Sequence, residues 1–192
     1  MQVLLGHLVW VVMACRILSV RLAPFFPPPL GNGAWMTLRW RTLWAPWVAG
    51  GYFLSLLSYN TLDHLSVSIA SSPIGESAAE SVVSQLLTPG KGDLAALAIG
   101  ALGPCVTAPI FEEILYRGFL LPALVRFMPL RLALPVHAAL FGLHHQSLRG
   151  LLPLSALGLI WGMLYVASGN LLVPILVHAM WNSRIFLHAL LM

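Results

Sequence analysis

The residues best suited to chemistry lie in one stretch, Phe111-Glu112-Glu113-Ile114-Leu115-Tyr116-Arg117-Gly118, inside an apolar segment. The whole chain has only six acidic residues, and two of them are adjacent here. On a helix, Glu113 and Arg117 are four residues apart with the acid first, which is the better order for an ion pair. Glu112 lies about 100° around the same helix, so Arg117 cannot readily neutralise both carboxylates. The spacing predicts a structural ion pair beside a second, free carboxylate.

Two later apolar segments also carry polar side chains at helical spacing. Phe141 and His145 are four residues apart, as are His178 and Asn182, so each pair falls on one helix face. A carboxylate beside an imidazole can bind a water and accept its proton, and Glu112 with His145 is the pair that suits this role. An imidazole and an amide one turn apart can donate hydrogen bonds to an oxyanion, and His178 with Asn182 is the pair that suits this role. Together these residues indicate hydrolysis of an amide or ester within a membrane.

The composition places this chemistry in a membrane protein. Of the 192 residues, 59% are hydrophobic and only 8% are charged, whereas a soluble domain carries about 25% charged residues. The net charge of +4 comes from arginines near predicted helix ends, so it indicates topology rather than nucleic-acid binding. Because charged groups are costly inside a bilayer, embedded polar residues mark a candidate functional site.

The hydropathy pattern predicts an all-α fold, a polytopic transmembrane bundle of about six membrane segments in one membrane domain. Residues 1–93 contain two segments, at 1–20 and 43–59, of which the first either crosses the membrane or lies at its interface. Residues 94–192 form a catalytic core of four helices, predicted at 94–125, 132–145, 151–167 and 171–191.

The connections predict an orientation. Residues 60–93 form the only markedly polar stretch, interpreted as a loop or lid with a short amphipathic helix over 77–87. This loop and Arg149 fall on one side of the membrane. The other side, which the positive-inside rule makes cytoplasmic, holds most of the remaining arginines: Arg21, Arg39, Arg41, Arg126 and Arg131. In the long segment 94–125, Pro104 and Pro109 are expected to kink the helix before the glutamate pair.

A family resemblance rests on three motifs in order, Glu112-Glu113-x-x-x-Arg117, Phe141-x-x-x-His145 and His178-x-x-x-Asn182. They resemble those of the CAAX protease and bacteriocin-processing family, also called the Abi family, over roughly residues 94–190. The resemblance implies an intramembrane glutamic endopeptidase whose best-known relatives trim prenylated proteins. The segment around the glutamates also looks like that of cyanobacterial and plastid members, which would place the chain in a bacterial cytoplasmic or thylakoid membrane.

The resemblance also assigns roles. It implies that Glu112 activates water, and that Glu113 and Arg117 support it. His145 matches the histidine of the second motif, which begins at Phe141. His178 and Asn182 match the third motif, which is assigned to transition-state stabilisation. The implied partners are membrane lipid and a membrane-anchored peptide or protein, without nucleic acid.

Some alternatives stay open at the level of sequence. His144 could replace its neighbour His145 as the functional histidine. Zn²⁺ bound by histidines and a glutamate is an alternative cofactor. However, the chain lacks a His-Glu-x-x-His arrangement, and adjacent histidines cannot both face one ion from a regular helix, so a mechanism without a metal or other cofactor is favoured. The same fold could instead serve as a non-enzymatic scaffold, chaperone or immunity protein.

Other polar and aromatic residues have simpler interpretations. His137 is expected to be a core or interfacial histidine, and Arg184 to extend its charge toward the interface. The aromatic residues Tyr116, Trp161 and Trp181 are interpreted as lipid-facing or packing residues. Cys15 and Cys105 lie in apolar segments and are expected to be free thiols.

Overall fold

The computed structural model describes residues 2–22, 38, 40, 43–69 and 94–191. Within these residues every regular element is a helix, as the composition predicts. There are six helices in this part of the chain: α1 (Gln2–Leu22), α2 (Trp44–Ile69), α3 (94–125), α4 (Leu130–His144), α5 (Leu151–Ser168) and α6 (Leu172–Leu191). The predicted all-α fold is therefore confirmed.

The predicted bounds hold to within two residues for α4, α5 and α6, but not for α2. That helix runs to Ile69, so residues 60–69 are helical rather than part of a loop. Leu62 and Leu65, three residues apart, continue the apolar face of the helix past the polar Asp63. The rest of the predicted polar loop, including the amphipathic helix at 77–87, lies outside the described residues.

Two helices in the described part of the chain are long and apolar enough to cross a membrane, Ala95–Val125 and Leu151–Ser168. The apolar helix Leu130–His144 is shorter. Length and composition therefore single out two of the predicted crossings, and the total number of spans stays a prediction.

Helix α3 stays helical throughout but contains two π-helical segments, Gly103–Thr107 and Ile114–Leu120. The first ends where the N–H of Ala108 bonds to Gly103 O, five residues back, and Pro109 follows. A proline lacks an N–H and its ring clashes with the carbonyl four residues before it, so a wider turn suits this position. The second segment ends in the same way, with Leu121 N–H bonded to Tyr116 O just before Pro122. The expected disturbance near Pro104 and Pro109 is therefore a π turn, and the α-helical stretch Ala108–Glu113 that carries both glutamates lies between the two.

The core lies where α2, α4, α5 and α6 pack around a cluster that includes Phe141, Leu157, Trp161, Val173 and Val177. Helices α4 and α5 approach closely because a glycine on each helix faces the backbone of the other. A Cβ on Gly158 would lie 3.1 Å from Ala138 Cα, and one on Gly142 would lie 2.9 Å from Leu151 O. Small residues allow such close approach between membrane helices. This contact brings the Gly158 carbonyl of α5 within reach of α3.

Candidate active site

The structure brings Glu113 and Arg117 together as their spacing predicts. Arg117 Nη1 donates to Glu113 Oε1 over 2.9 Å, and both side chains are fully buried. Arg117 Nη2 donates to Gly158 O over 3.1 Å. The guanidinium also lies over the ring of Phe141, with Cζ 4.5 Å from the ring centroid. A buried charge is tolerated only when it is paired and hydrogen-bonded, and this arrangement supplies both conditions.

His178 joins the same carboxylate from α6. Its Nδ1 lies 2.9 Å from Glu113 Oε1, the oxygen that Arg117 also contacts. Because Nδ1 donates to the carboxylate, Nε2 is the nitrogen left for a substrate, as an acceptor in a neutral ring or a donor in an imidazolium. Sequence spacing gave no sign of this contact, which joins residues 65 positions apart.

Trp161 of α5 packs on the ring of His178 and is itself bonded to α2. The two rings are tilted by 35° with centroids 4.4 Å apart. Trp161 Nε1 donates to Ser55 Oγ over 2.9 Å, and Ser55 Oγ donates to Gly51 O over 2.7 Å. Trp161 is thus an interior packing residue, and Ser55 is a contributor to the site that sequence reasoning missed.

His145 lies at the end of α4, where its Nδ1 donates to Phe141 O over 2.9 Å. That bond leaves Nε2 as the ring nitrogen available to a water or substrate. The ring is half-buried, whereas that of its neighbour His144 is exposed. The ring centroid of Phe141 lies 4.9 Å from that of His145 and 6.2 Å from that of His178, so Phe141 links the second motif to the third. The two imidazoles of His144 and His145 lie 5.7 Å apart, and burial favours His145 as the functional one.

Glu112 differs from its neighbour. Its Oε2 is buried, and the described residues offer that oxygen no hydrogen-bond partner. Glu113 Oε1 therefore has two partners, whereas Glu112 Oε2 has none among the described residues. A buried carboxylate oxygen without a protein partner is positioned to accept a hydrogen bond from a water or a substrate N–H.

Asn182 makes a contact that its spacing from His178 does not indicate. Its Nδ2 donates to Pro104 O, in the first π segment of α3, over 2.8 Å. The three motifs thus converge, but the third motif reaches α3 at two places: His178 at Glu113 and Asn182 at Pro104.

Comparison with known proteins agrees with this geometry. Residues 94–184 match the family model of type II CAAX prenyl endopeptidase Rce1-like proteins. The segment contains all three motifs. The match covers just under half of the chain and supports, for this segment, the resemblance to the CAAX protease and bacteriocin-processing family. The likeness to cyanobacterial and plastid members stays a prediction.

A curated relative supports the same family. The chain is 32% identical over 78 residues to the Bacillus subtilis (strain 168) protein named "Putative membrane peptidase YdiL". The match covers 41% of this chain and 32% of the relative, so it spans about a third of the relative's length. No solved structure matches the chain.

Further polar atoms are buried around this site. His137 is fully buried in α4, and its ring centroid lies 5.9 Å from that of Tyr116. Within the described residues neither nitrogen of His137 has a hydrogen-bond partner, and the same holds for Arg117 Nε and Glu113 Oε2. His137 was predicted to be a core or an interfacial histidine, and its burial makes it a core histidine. The polar interior thus extends beyond the motif residues.

At the other end of the site, Arg184 does not simply extend along the surface. Its Cζ lies 3.5 Å from the ring centroid of Trp181, and Tyr59 of α2 adds a second ring at 5.4 Å. A guanidinium over aromatic faces is held by a cation–π interaction. Trp181 itself is buried, so it packs against Tyr59 and does not face lipid.

The arrangement of possible metal ligands is a further feature of the site. In the ranges 2–22, 43–69 and 94–191, no three His, Cys, Asp or Glu side chains lie close enough together to hold one ion. The Nδ1 atoms of His178 and His145 are bonded to Glu113 and Phe141, so Nε2 is the nitrogen of each ring that is left for another group. A mechanism without a metal stays a prediction.

Proposed function

We propose that this chain is an intramembrane endopeptidase that hydrolyses a peptide bond of a membrane-associated substrate with a water activated by Glu112 and His145. One observation carries the proposal: the buried Glu112 Oε2 has no partner among the described residues, whereas Glu113 Oε1 is bonded to both Arg117 and His178. Such a carboxylate can accept a proton, whereas Glu113 is held by Arg117 and His178.

In the proposed reaction, a water binds between Glu112 and Nε2 of His145. Glu112 takes one proton as the water oxygen attacks the carbonyl carbon of the scissile bond, which becomes tetrahedral. The proton then passes from Glu112 to the leaving amine as the carbon–nitrogen bond breaks, so the site returns to its starting state. Burial strengthens these interactions because little water competes for the charges.

His178 is proposed to stabilise the negative charge that develops on the carbonyl oxygen. Since Nδ1 is engaged by Glu113, the ring presents Nε2 in a fixed direction. A donor at Nε2 requires the imidazolium form of the ring, in which both nitrogens carry a proton. Trp161 and Phe141 restrict the ring further, because both rings lie against it.

The finer assignments belong to the same proposal. We place the chain in its membrane as a multi-pass protein, in a bacterial cytoplasmic or thylakoid membrane, with a membrane-anchored peptide or protein as substrate. The family model supports a CAAX-type, prenylated substrate end. The proposed mechanism uses no metal.

The test is cleavage of membrane-anchored peptides, with and without a prenyl group, by the purified chain in liposomes. Glu112→Gln keeps the size of the side chain and removes its basicity, so it should abolish cleavage while the protein stays folded. Cleavage should survive a chelator that removes Zn²⁺. Loss of activity on chelation would require a metal mechanism instead. A folded wild-type chain that cleaves none of the peptides would favour a non-enzymatic scaffold.

A further inference from the structure

The contact between Asn182 and Pro104 has a specific cause in the backbone of α3. In a regular α-helix, Pro104 O would accept a hydrogen bond from the N–H of Ala108. In this helix, the N–H of Ala108 bonds to Gly103 O instead. The next residue, Pro109, has no N–H to offer in the i→i+5 pattern of a π turn. The carbonyl of Pro104 therefore needs a donor from outside the helix, and Asn182 Nδ2 supplies it at 2.8 Å.

The π segment that contains this carbonyl determines where the glutamates point. A π turn contains one more residue than an α turn, so converting it into an α-helix would rotate everything that follows by about 100° relative to what precedes. The stretch Ala108–Glu113 follows directly. The 2.9 Å contact between Glu113 and His178 could not survive such a rotation.

Phe186, one helical turn after Asn182 on α6, also contacts the π segment. Phe186 packs in a small buried cluster with Cys105, from the segment, and Leu97 of α3. Within the segment, Thr107 Oγ1 donates to Gly103 O over 3.1 Å. Asn182 is thus part of a contact between α6 and the π turn.

We propose that Asn182 is a positioning residue, whose amide holds the π turn Gly103–Thr107 and thereby directs Glu112 and Glu113 into the site. Its effect on cleavage rests on the proposed function, but the contact itself does not. This role differs from donation to the oxyanion, because it acts through the backbone of α3. The two roles predict different results when α3 can satisfy its own carbonyl.

Pro109→Ala provides that condition, since it restores a backbone N–H next to the unsatisfied carbonyl. Six proteins are compared: wild type, Asn182→Ala, Pro109→Ala, Pro122→Ala, and each proline variant combined with Asn182→Ala. Alone, Asn182→Ala should lower kcat by about tenfold or more with little change in KM, because the reacting groups are misplaced. In the Pro109→Ala background, the same substitution should cost less than about threefold. Pro122→Ala is the matched control, because it follows the second π segment and should give no rescue.

An equal loss of kcat in both backgrounds would overturn the proposal and make Asn182 a direct contact of the reacting carbonyl. Rescue by Pro122→Ala to the same extent would also overturn it, since the effect would not be specific to Pro104.

Thermal unfolding of the same proteins in detergent tests the contact between Asn182 and Pro104 without any substrate. The Tm loss from Asn182→Ala should shrink in the Pro109→Ala background and stay unchanged in the Pro122→Ala background. Additive Tm losses would refute the contact, whatever the activity. If the wild type cleaves nothing while the Tm losses couple as expected, the proposed function fails and the positioning of α3 by Asn182 stands.

Discussion

The two glutamates have different surroundings, although they are consecutive in sequence. Glu113 Oε1 contacts both Arg117 Nη1 and His178 Nδ1 at 2.9 Å. Glu112 Oε2 is buried with no partner from the described residues. A carboxylate in the first situation holds a structure together, and one in the second is available for proton transfer. The two residues should therefore respond differently to the same substitution.

We expect Glu113→Gln to destabilise the fold and Glu112→Gln to leave its stability nearly unchanged. Losing the Glu113 charge leaves Arg117 buried and uncompensated, and breaking a buried ion pair costs about 3–5 kcal/mol. Thermal unfolding of the two isosteric variants in the same detergent checks the difference. Equal losses of stability would show that Glu112 has a structural partner of its own.

A second residue-scale prediction concerns Ser55, which lies far from the motifs in sequence. Ser55→Ala leaves the buried Trp161 Nε1–H without its acceptor, which costs about 1–3 kcal/mol. Since Trp161 packs on His178, cleavage should fall as well. Thr61→Ala is the matched control, because its hydroxyl makes the same kind of bond to its own helix at an exposed position. Similar effects of the two substitutions, measured by unfolding and by kcat, would remove Ser55 from the site.

Sequence spacing predicted some of these contacts and missed others for one reason. The contact between Glu113 and Arg117 is local, since four residues on a helix always lie on one face. The contacts His178–Glu113, Asn182–Pro104 and Trp161–Ser55 span 65, 78 and 106 residues. Periodicity identifies the face that a helix presents, but not the element that packs against it. The motif residues were found, and their partners were not.

At the scale of elements, the packing of α4 on α5 depends on glycines that the sequence does not distinguish from others. A Cβ on Gly142 would lie 2.9 Å from Leu151 O and 3.0 Å from Ser155 N, both backbone atoms. A Cβ on Gly50 of α2 would meet nothing within 4 Å. Both residues are in helices, so helix propensity alone treats them alike.

The two glycines should therefore respond to alanine with opposite signs. Gly142→Ala should destabilise the protein by about 1–3 kcal/mol, because helices α4 and α5 must move apart. Gly50→Ala should stabilise it by up to about 1 kcal/mol, because alanine favours the helix. Thermal unfolding in detergent measures both. A loss at Gly50 as large as at Gly142 would show that close packing is not the cause.

Prolines explain why α3 could be foreseen only in part. Pro104 and Pro109 predict a disturbance before the glutamates, and Pro122 marks a second one after them. A proline shows that an N–H is missing and that a ring must be accommodated. It does not show whether the helix bends, breaks or widens. In α3 the helix widens into π turns, and the direction of the glutamates depends on this widening.

At the scale of the whole molecule, composition determined the class of fold but not the number of crossings. Within the described residues, two helices are long and apolar enough to cross a membrane. Helix α6 carries His178, Asn182 and Arg184, so its polar content lowers its average hydropathy although its site residues face the interior. Hydropathy averages over all faces of a helix. A helix with buried polar side chains therefore scores lower on average hydropathy than its lipid-facing surface alone would.

The order of α4 and α5 leads to a topological prediction. The turn after α3 has Phe127 at its tip with 86% of its side chain exposed, and the turn after α4 has Leu148 at 72%. Arg149 Nη2 in this second turn lies 3.8 Å from Asp63 Oδ2, which ties it to the far end of α2. If α4 and α5 both cross, Phe127 and the exposed Ala167 at the end of α5 lie on one side, and Leu148 lies on the other.

Cysteines at these three positions, placed in a background with Cys15 and Cys105 changed to serine, test this order. The positive-inside rule assigns the turn with Arg126 and Arg131 to the cytoplasm. In intact cells, a membrane-impermeant maleimide should label Leu148→Cys and leave Phe127→Cys and Ala167→Cys unlabelled until the membrane is opened. Retained cleavage activity checks that each variant folds. Labelling of all three positions from one side would mean that α4 and α5 enter the membrane and return without crossing it.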